Sequence, residues 1–291
     1  MFGRTFGERD RVKFRDKVVL ITGGSQGLGR GIAQAFLAEG ARVVVNCRHA
    51  GVLEKCVEEL RAGLGPEDVH QGARVLGLCA DVSDSAAVDA MFAQAVEQFG
   101  TLDVLVNNAA LVPTDERARA ECMALMSTPI PKHSLRVTSR MSDEAWQQMM
   151  AVNLNGLFYC TRAALRIMEP RGYGKIVNIG SIAGISGQSF HSPHYSASKG
   201  GMVAFTRSVG LEVIGAGINV NCIAAGGVGT EAWDLMIARA GDALRLQLMQ
   251  LIPAGRLGTI DEYASLVLYL SSDAAAYIVG QVISPNGGMV T

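Results

Sequence analysis

Short apolar runs alternate with amphipathic stretches along most of the chain. The first run, Val18 to Thr22, ends in glycines. A continuous apolar run of that length is what a parallel strand buried on both faces looks like. From about Gly29 to Glu39 the apolar positions take helical spacing, and Gly40 ends it. Arg42 to Asn46 then predicts a strand, Val52 to Arg61 a helix, and Val75 to Cys79 a third strand. Ser83 and Asp84 open another helix, and Leu102 to Val106 is a strand ending in Asn-Asn-Ala-Ala. Helical spacing runs unbroken from about Asp143 to Met168. Lys175 to Ile179 reads as a strand, about Tyr195 to Ile214 as a helix, and Ile218 to Ile223 and Val282 to Pro285 as strands. Strands alternating with helices predict an α/β fold with a doubly wound parallel sheet, whose ligands bind beyond the carboxyl ends of the strands. Residues 16–291 read as one domain, preceded by a polar arm at 1–15 and carrying a long insertion at about 111–140.

Composition narrows the classes. Hydrophobic residues make up 49% of the 291 and charged ones 18%, which supplies a sizeable core. The net charge of −1, with signs interspersed, offers no basic face for nucleic acid or an anionic membrane. No run reaches the ~18 apolar residues of a membrane span, and the first ten residues lack the apolar segment of a secretory leader. Cys47, Cys56, Cys79, Cys122, Cys160 and Cys222 show no metal-ligand spacing and read as reduced thiols. A cytoplasmic protein without a metal is the expectation.

Two motifs carry chemistry. Thr22-Gly-Gly-Ser-Gln-Gly-Leu-Gly29 joins the first strand to the first helix. Its glycines permit a tight turn and close approach to a pyrophosphate, and the helix N-terminus presents N–H groups to the phosphates. Gly23, Ser25, Gln26, Gly27, Leu28 and Gly29 are therefore candidate cofactor contacts. About 20 residues on, a carboxylate would favour a ribose 2′-OH and a basic group a 2′-phosphate. This chain has Asn46-Cys47-Arg48-His49, so NADP(H) is expected over NAD(H), with Arg48 as a plain surface residue the alternative. The second motif is Tyr195 and Lys199, one helical turn apart on one face. A phenol ordinarily titrates near pH ~10, and a neighbouring ammonium would draw it toward neutrality.

Taken in order, these motifs with Asp81-Val82, Asn107-Asn-Ala-Ala110, Asn153, Ser181 and Asn219 to Thr230 resemble the short-chain dehydrogenase/reductase family, which has a Rossmann-type single domain. Met141 to Trp146, Pro253 to Gly258 and Asn286 to Met289 are closest in flavour to its 3-oxoacyl reductase branch. The resemblance implies that Tyr195 is the acid in carbonyl reduction and the base in alcohol oxidation. Lys199 would lower the tyrosine pKa and bind the nicotinamide ribose. Ser181 would hydrogen-bond the substrate oxygen, and Asn153 would hold a relay water. Asp81 and Val82 would flank the adenine, Asn107 and Ala109 would border the adenosine and ribose path, and Gly226, Val228 and Thr230 would secure the nicotinamide. Duller roles stand beside these: Ser181 as a turn cap, Asn153 bonded to local backbone, Thr230 as a helix start.

Three departures stand out. Ala225 replaces the family's usual proline and should loosen that turn. Gln26 stands where NADP-type members often carry a basic residue. The 111–140 segment exceeds the family norm, and it is expected to form a lid or wall over the pocket, with a subunit contact or a plain surface insertion as alternatives. Carrier-dependent members of the oxoacyl branch carry basic residues where this chain has Gly172 and Ala216, although the adjacent Arg171 could compensate. A partly apolar ketone, or its secondary alcohol, is the expected substrate. The pocket would draw on Ile182 to Phe190, His191, His194 and Glu231 to Leu251. Oxidation of a secondary alcohol, sugar or polyol, and a non-catalytic dinucleotide sensor, are the rival readings. The resemblance also implies a homotetramer, with a homodimer as the alternative.

Overall fold

The computed structural model describes residues 14–65, 74–112, 134–187, 189, 191–231, 246 and 249–291. Seven strands form one sheet: β1 (Val18–Ile21), β2 (Arg42–Cys47), β3 (Val75–Cys79), β4 (Val104–Asn107), β5 (Gly174–Ser181), β6 (Ile218–Ala225) and β7 (Val282–Ile283). Their order is β3-β2-β1-β4-β5-β6-β7, and every neighbouring pair is parallel. The strand order reverses between β1 and β4, which opens a crevice at their carboxyl ends.

Alternate strand residues feed two apolar layers. On one face Val19, Ile21, Val43 and Val45 pack against α1 (Gly27–Ala38), α2 (Ala50–Ala62) and the Ile260–Ser271 helix. On the other, Leu20, Val44, Leu105 and Ile176 meet α3 (Ser85–Phe99), α5 (Gly156–Met168) and α6 (Pro193–Val213). The short helix α4 (Asp143–Met150) precedes α5, and Ile260–Ser271 is α7.

Most expected elements are present, and the differences have local causes. Phe14, assigned above to the arm, is 2% exposed and meets Phe36 edge-on at 5.0 Å, so it belongs to the core. Asp84 is the N-cap of α3, its Oδ1 accepting from the Ala86 and Ala87 N–H groups at 2.9 and 3.1 Å, so the helix starts at Ser85. The expected unbroken helix from Asp143 to Met168 is interrupted by a π turn at Ala151–Asn155. The last strand stops at Ile283, and the Pro285 carbonyl instead accepts from Gly226 N–H and Tyr263 O–H. Helix α7 was not among the expected elements. Its start carries a complete capping box between Thr259 and Glu262, reinforced by a two-pronged Arg256–Glu262 pair at 2.7 and 2.9 Å.

Candidate active site

The glycine turn lies in the crevice after β1. Gly23 has φ +61°, and a Cβ there would sit 2.9 Å from the Ala109 Cα, so the turn and the β4 loop touch through backbone. At Gly29 a Cβ would strike the Gly23 carbonyl and the Asn108 amide. Ser25 is buried, and Leu28 packs on the core. Gln26 is the N-cap of α1 but makes no side-chain cap, which leaves the first-turn N–H groups for a ligand. Turn glycines that leave no room for a Cβ, at the start of a twelve-residue helix, fit a dinucleotide pyrophosphate.

The residue that closes this turn is Asn108 rather than Asn107. Asn108 Nδ2 donates to the Thr22 and Gly23 carbonyls at 3.0 and 2.9 Å, while Thr22 Oγ1 accepts from the Asn108 and Ala109 N–H groups, both at 3.0 Å. Asn107 turns into the core, donating to Thr161 Oγ1 at 3.2 Å and Asn178 Oδ1 at 2.9 Å. Neighbouring residues leaving a strand point to opposite faces, so the Asn-Asn pair alone could not say which one faces the turn.

At the ends of β2 and β3, Arg48 is exposed and its Nε lies 3.1 Å from His49 Nε2. Cys47 is 9% exposed and its Sγ accepts from the His49 N–H at 3.4 Å. Asp81 accepts from Ser83 N–H and O–H at 2.8 and 2.7 Å. Burial pushes this carboxyl up, but the Ser83 hydrogen bonds and the Arg48 and His49 charges outweigh it, and its pKa is held below the ordinary range. Val82 is buried, packed where a Cβ on Gly156 would come within 2.9 Å of it.

Tyr195 and Lys199 share the first turns of α6, which opens with Pro193. Lys199 is 2% exposed. Its Nζ donates to the Ile179 carbonyl of β5 at 2.8 Å and lies 5.8 Å from the Tyr195 ring centre. Burial lowers the ammonium pKa to about 8, against a smaller opposing effect of the Cys222 thiol. Burial also raises the Tyr195 phenol, and only its hydrogen bond with Ser181 opposes this. With a pKa of about 8, Lys199 still carries its charge at pH 7, with one N–H committed to the Ile179 carbonyl, while burial outweighs the Ser181 hydrogen bond at the Tyr195 phenol.

Ser181 ends β5, and its Oγ accepts from the Ala183 N–H at 3.2 Å, so it caps the turn at Ile182–Gly184 while reaching Tyr195. Asn153 sits in the π turn, 1% exposed. Its Nδ2 donates to the Leu111 carbonyl at 3.0 Å and to Ser198 Oγ at 3.1 Å, and its Oδ1 accepts from Leu111 N–H at 2.7 Å. The side chain thus holds the root of the 111–140 segment. Ser198, absent from the sequence candidates, passes the link on to the Tyr195 carbonyl at 2.8 Å. Residues 113–133 of the segment, including its helix-like Arg117 to Met126 stretch, lie outside the described residues.

The Gly226–Thr230 strip crosses above. Gly226 lies against Asn286, Gly229 N–H donates to the Gly258 carbonyl at 2.9 Å, and Gly258 N–H donates to Gly227 O at 3.0 Å. Val228 bridges to Gly258. A Cβ on Gly27 would lie 3.5 Å from the Thr230 methyl, so the strip closes over the glycine turn. Ala225 pairs in register with Ser181. It is the last residue of β6. Of the expected pocket, His191 and His194 are described, and burial lowers both imidazoles. Most of Glu231 to Leu251 lies outside the described residues.

Comparison with known proteins agrees with this layout. The family model described as short chain dehydrogenase matches residues 17–238. The 3-oxoacyl-(acyl-carrier-protein) reductase of Escherichia coli is 32% identical over 278 residues, covering 96% of this chain and 99% of that one. A hydroxy(phenyl)methylsuccinyl-CoA dehydrogenase subunit of Thauera aromatica is 36% identical over 274 residues, with 94% and 96% covered. The crystal structure of gox2181 superposes with a TM-score of 0.77 at 28% identity, covering 96% of this chain and 97% of that one. The chain is an oxidoreductase that acts between alcohol and carbonyl with a nicotinamide dinucleotide, and it belongs to the short-chain dehydrogenase family.

Proposed function

We propose that this enzyme reduces a partly apolar ketone or 3-oxoacyl thioester with NADPH, with Tyr195 as the acid. The observation that carries the reading is the Ser181–Tyr195–Lys199 cluster, held at the carboxyl edge of the sheet beside the glycine turn. A bound nicotinamide dinucleotide would supply the hydride. The residues do the rest. Burial keeps Tyr195 in its protonated form, as an acid needs to be before reaction. Its O–H would donate to the carbonyl oxygen while Ser181 Oγ stabilises charge building on that oxygen. The nearby Lys199 would favour the phenolate left behind, and a water at the Asn153 main chain would return the proton, because the Asn153 side chain is engaged with Leu111 and Ser198.

Coenzyme choice rests on the exposed Arg48, with no carboxylate at the end of β2. Substrate choice favours a coenzyme A ester or a free ketone over a carrier-bound one. Gly172 and Ala216 precede β5 and β6, at the edge opposite Tyr195. Arg171 cannot compensate, since its guanidinium donates to the Leu102 carbonyl and to Asp103 Oδ1, both at 3.0 Å. The insertion is read as a wall over the pocket, because Leu111 leaves directly from Asn153. Exposed Trp146, Phe158 and Leu211 on α4, α5 and α6 support a homotetramer packed through those helices.

The alternative, oxidation of a secondary alcohol, is favoured by the 36% identity to a dehydrogenase named for a hydroxyacyl-CoA. The deciding experiment compares NADPH and NADH oxidation on a 3-oxoacyl-CoA, the matching carrier thioester, a cyclic ketone and a steroid ketone. NADPH-linked turnover of the CoA ester or a free ketone supports the reading. Turnover confined to the carrier thioester, or to NADH, would overturn it.

A further inference from the structure

Two cysteines stand side by side on neighbouring strands at the carboxyl edge of the sheet. Cys47 ends β2 and Cys79 ends β3, and they are partners in the parallel register. Adjacent strands lie about 4.8 Å apart, inside the roughly 4.4–6.8 Å Cα separation a disulfide spans. Both side chains fall on the face covered by α2. Cys47 clusters there with Leu53 and Cys56, and a Cβ on Gly77, two residues before Cys79, would meet Val57 and Leu53. Cys79 is exposed and Cys47 nearly buried, which separates an attacking thiol from a resolving one. β3 is the edge strand of the sheet, and β2 is its one strand neighbour among the described residues.

What surrounds the pair gives it a consequence. Cys47 Sγ accepts the His49 N–H at 3.4 Å, and the Cys47 carbonyl accepts the Ala80 N–H at 3.2 Å. The two turns so tied carry Arg48 on one side and Asp81 on the other.

We propose that Cys47 and Cys79 form a reversible disulfide that weakens dinucleotide binding, making coenzyme affinity respond to thiol oxidants. The oxidant is a low-molecular-weight disulfide of the glutathione class. The Cys79 thiolate attacks it, its S–S bond breaks, a mixed disulfide forms on Cys79, and one small thiolate leaves. The Cys47 thiolate then attacks the Cys79 sulfur and expels the second small thiolate. Two protein thiols lose two electrons, the small disulfide gains them, and the two cysteine protons end on the released thiols. The new bond draws Cys47 Sγ toward β3 and away from His49 N–H, so the Arg48 turn loses its anchor. The effect on NADPH rests on the coenzyme reading proposed above, but the disulfide itself does not.

The test equilibrates the full-length protein with oxidised glutathione, maps its peptides without reduction, and measures NADPH and NADH dissociation constants by fluorescence. The expected result is a linked peptide pair containing Cys47 and Cys79, with the NADPH Kd raised about tenfold, the loss of roughly one charge-assisted hydrogen bond. Dithiothreitol should restore it. Cys79→Ser, and Cys79→Ala should the serine variant fold poorly, should bind NADPH as the reduced parent does and ignore the oxidant. A glutathione adduct without the 47–79 link, or a link that leaves both dissociation constants unchanged, overturns the proposal. Equal NADPH and NADH affinities in the reduced protein would sink the coenzyme reading alone and leave the thiol pair to be judged by its own peptide map.

Discussion

Replacing Lys199 by Met should make the dinucleotide-free protein more stable at pH 7 and less stable at high pH. The side chain is 2% exposed, and burial lowers its pKa from 10.5 to about 8. Each tenfold of preference for the neutral amine is worth 1.36 kcal/mol, so the charged lysine costs the fold about 3 kcal/mol at neutral pH. Methionine removes that cost but also the 2.8 Å bond to the Ile179 carbonyl, a loss of about 1 kcal/mol. The net gain is about 2 kcal/mol below pH ~8. The sign follows from proton counting. Between about pH 8 and 10.5 the unfolded lysine holds more protons than the folded one, so wild-type stability rises with pH relative to the variant. The advantage of methionine should vanish near pH ~10, where the residual penalty matches the lost hydrogen bond. Urea unfolding at fixed protein concentration, at pH 7, 8, 9 and 10, reads the difference directly. A difference that stays constant across that range, or a variant less stable at pH 7, would refute the assignment of Lys199 as a charge the fold holds at a cost.

Other outcomes follow from single contacts. Arg48→Ala should raise the KM for NADPH about tenfold or more and leave that for NADH within about twofold; equal changes would reduce Arg48 to a surface residue. Tyr195→Phe should keep dinucleotide binding by fluorescence and lose turnover by a factor of about 10² or more, and retained turnover would remove Tyr195 as the acid. Gly23→Ala forces a Cβ onto a φ of +61° and against the Ala109 Cα, so it should cost about 2 kcal/mol in urea unfolding and weaken dinucleotide binding. Deleting residues 113–133 should shift relative kcat/KM across the ketone panel, and unchanged ratios would reject the wall.

The sheet was legible because buried parallel strands are short apolar runs, and β1, β2 and β4 end in the polar turns that hold the crevice. Asp84 was legible because its partners lie within one helical turn, and Tyr195 and Lys199 because they stand one turn apart on one helix. What stayed hidden depends on distant or opposite-facing partners. Arg171 looks free in the sequence, but its acceptor Asp103 is 68 residues away. Asn107 and Asn108 are chemically identical neighbours, and only the pleat decides that the second holds the glycine turn. Asn153 was found, but its attachment to Leu111 spans 42 residues and a π turn that apolar spacing does not betray. The start of α7 is readable in the sequence, since Thr259 and Glu262 have the capping-box spacing.

The π turn at Ala151–Asn155 also governs helical phase. Met149 and Met168 are both buried, one before the turn and one at the end of α5. At about 100° per residue an unbroken helix would aim them about 100° apart. The one extra residue in the π turn cancels that offset, so both face inward. Removing one residue from 151–155 would let the turn close as ordinary α-helix with Met149 and Met168 still in phase, so α5 would keep its packing. The cost would fall on Asn153, whose bonds to Leu111 are made from the widened turn, and so on the placement of one catalytic candidate.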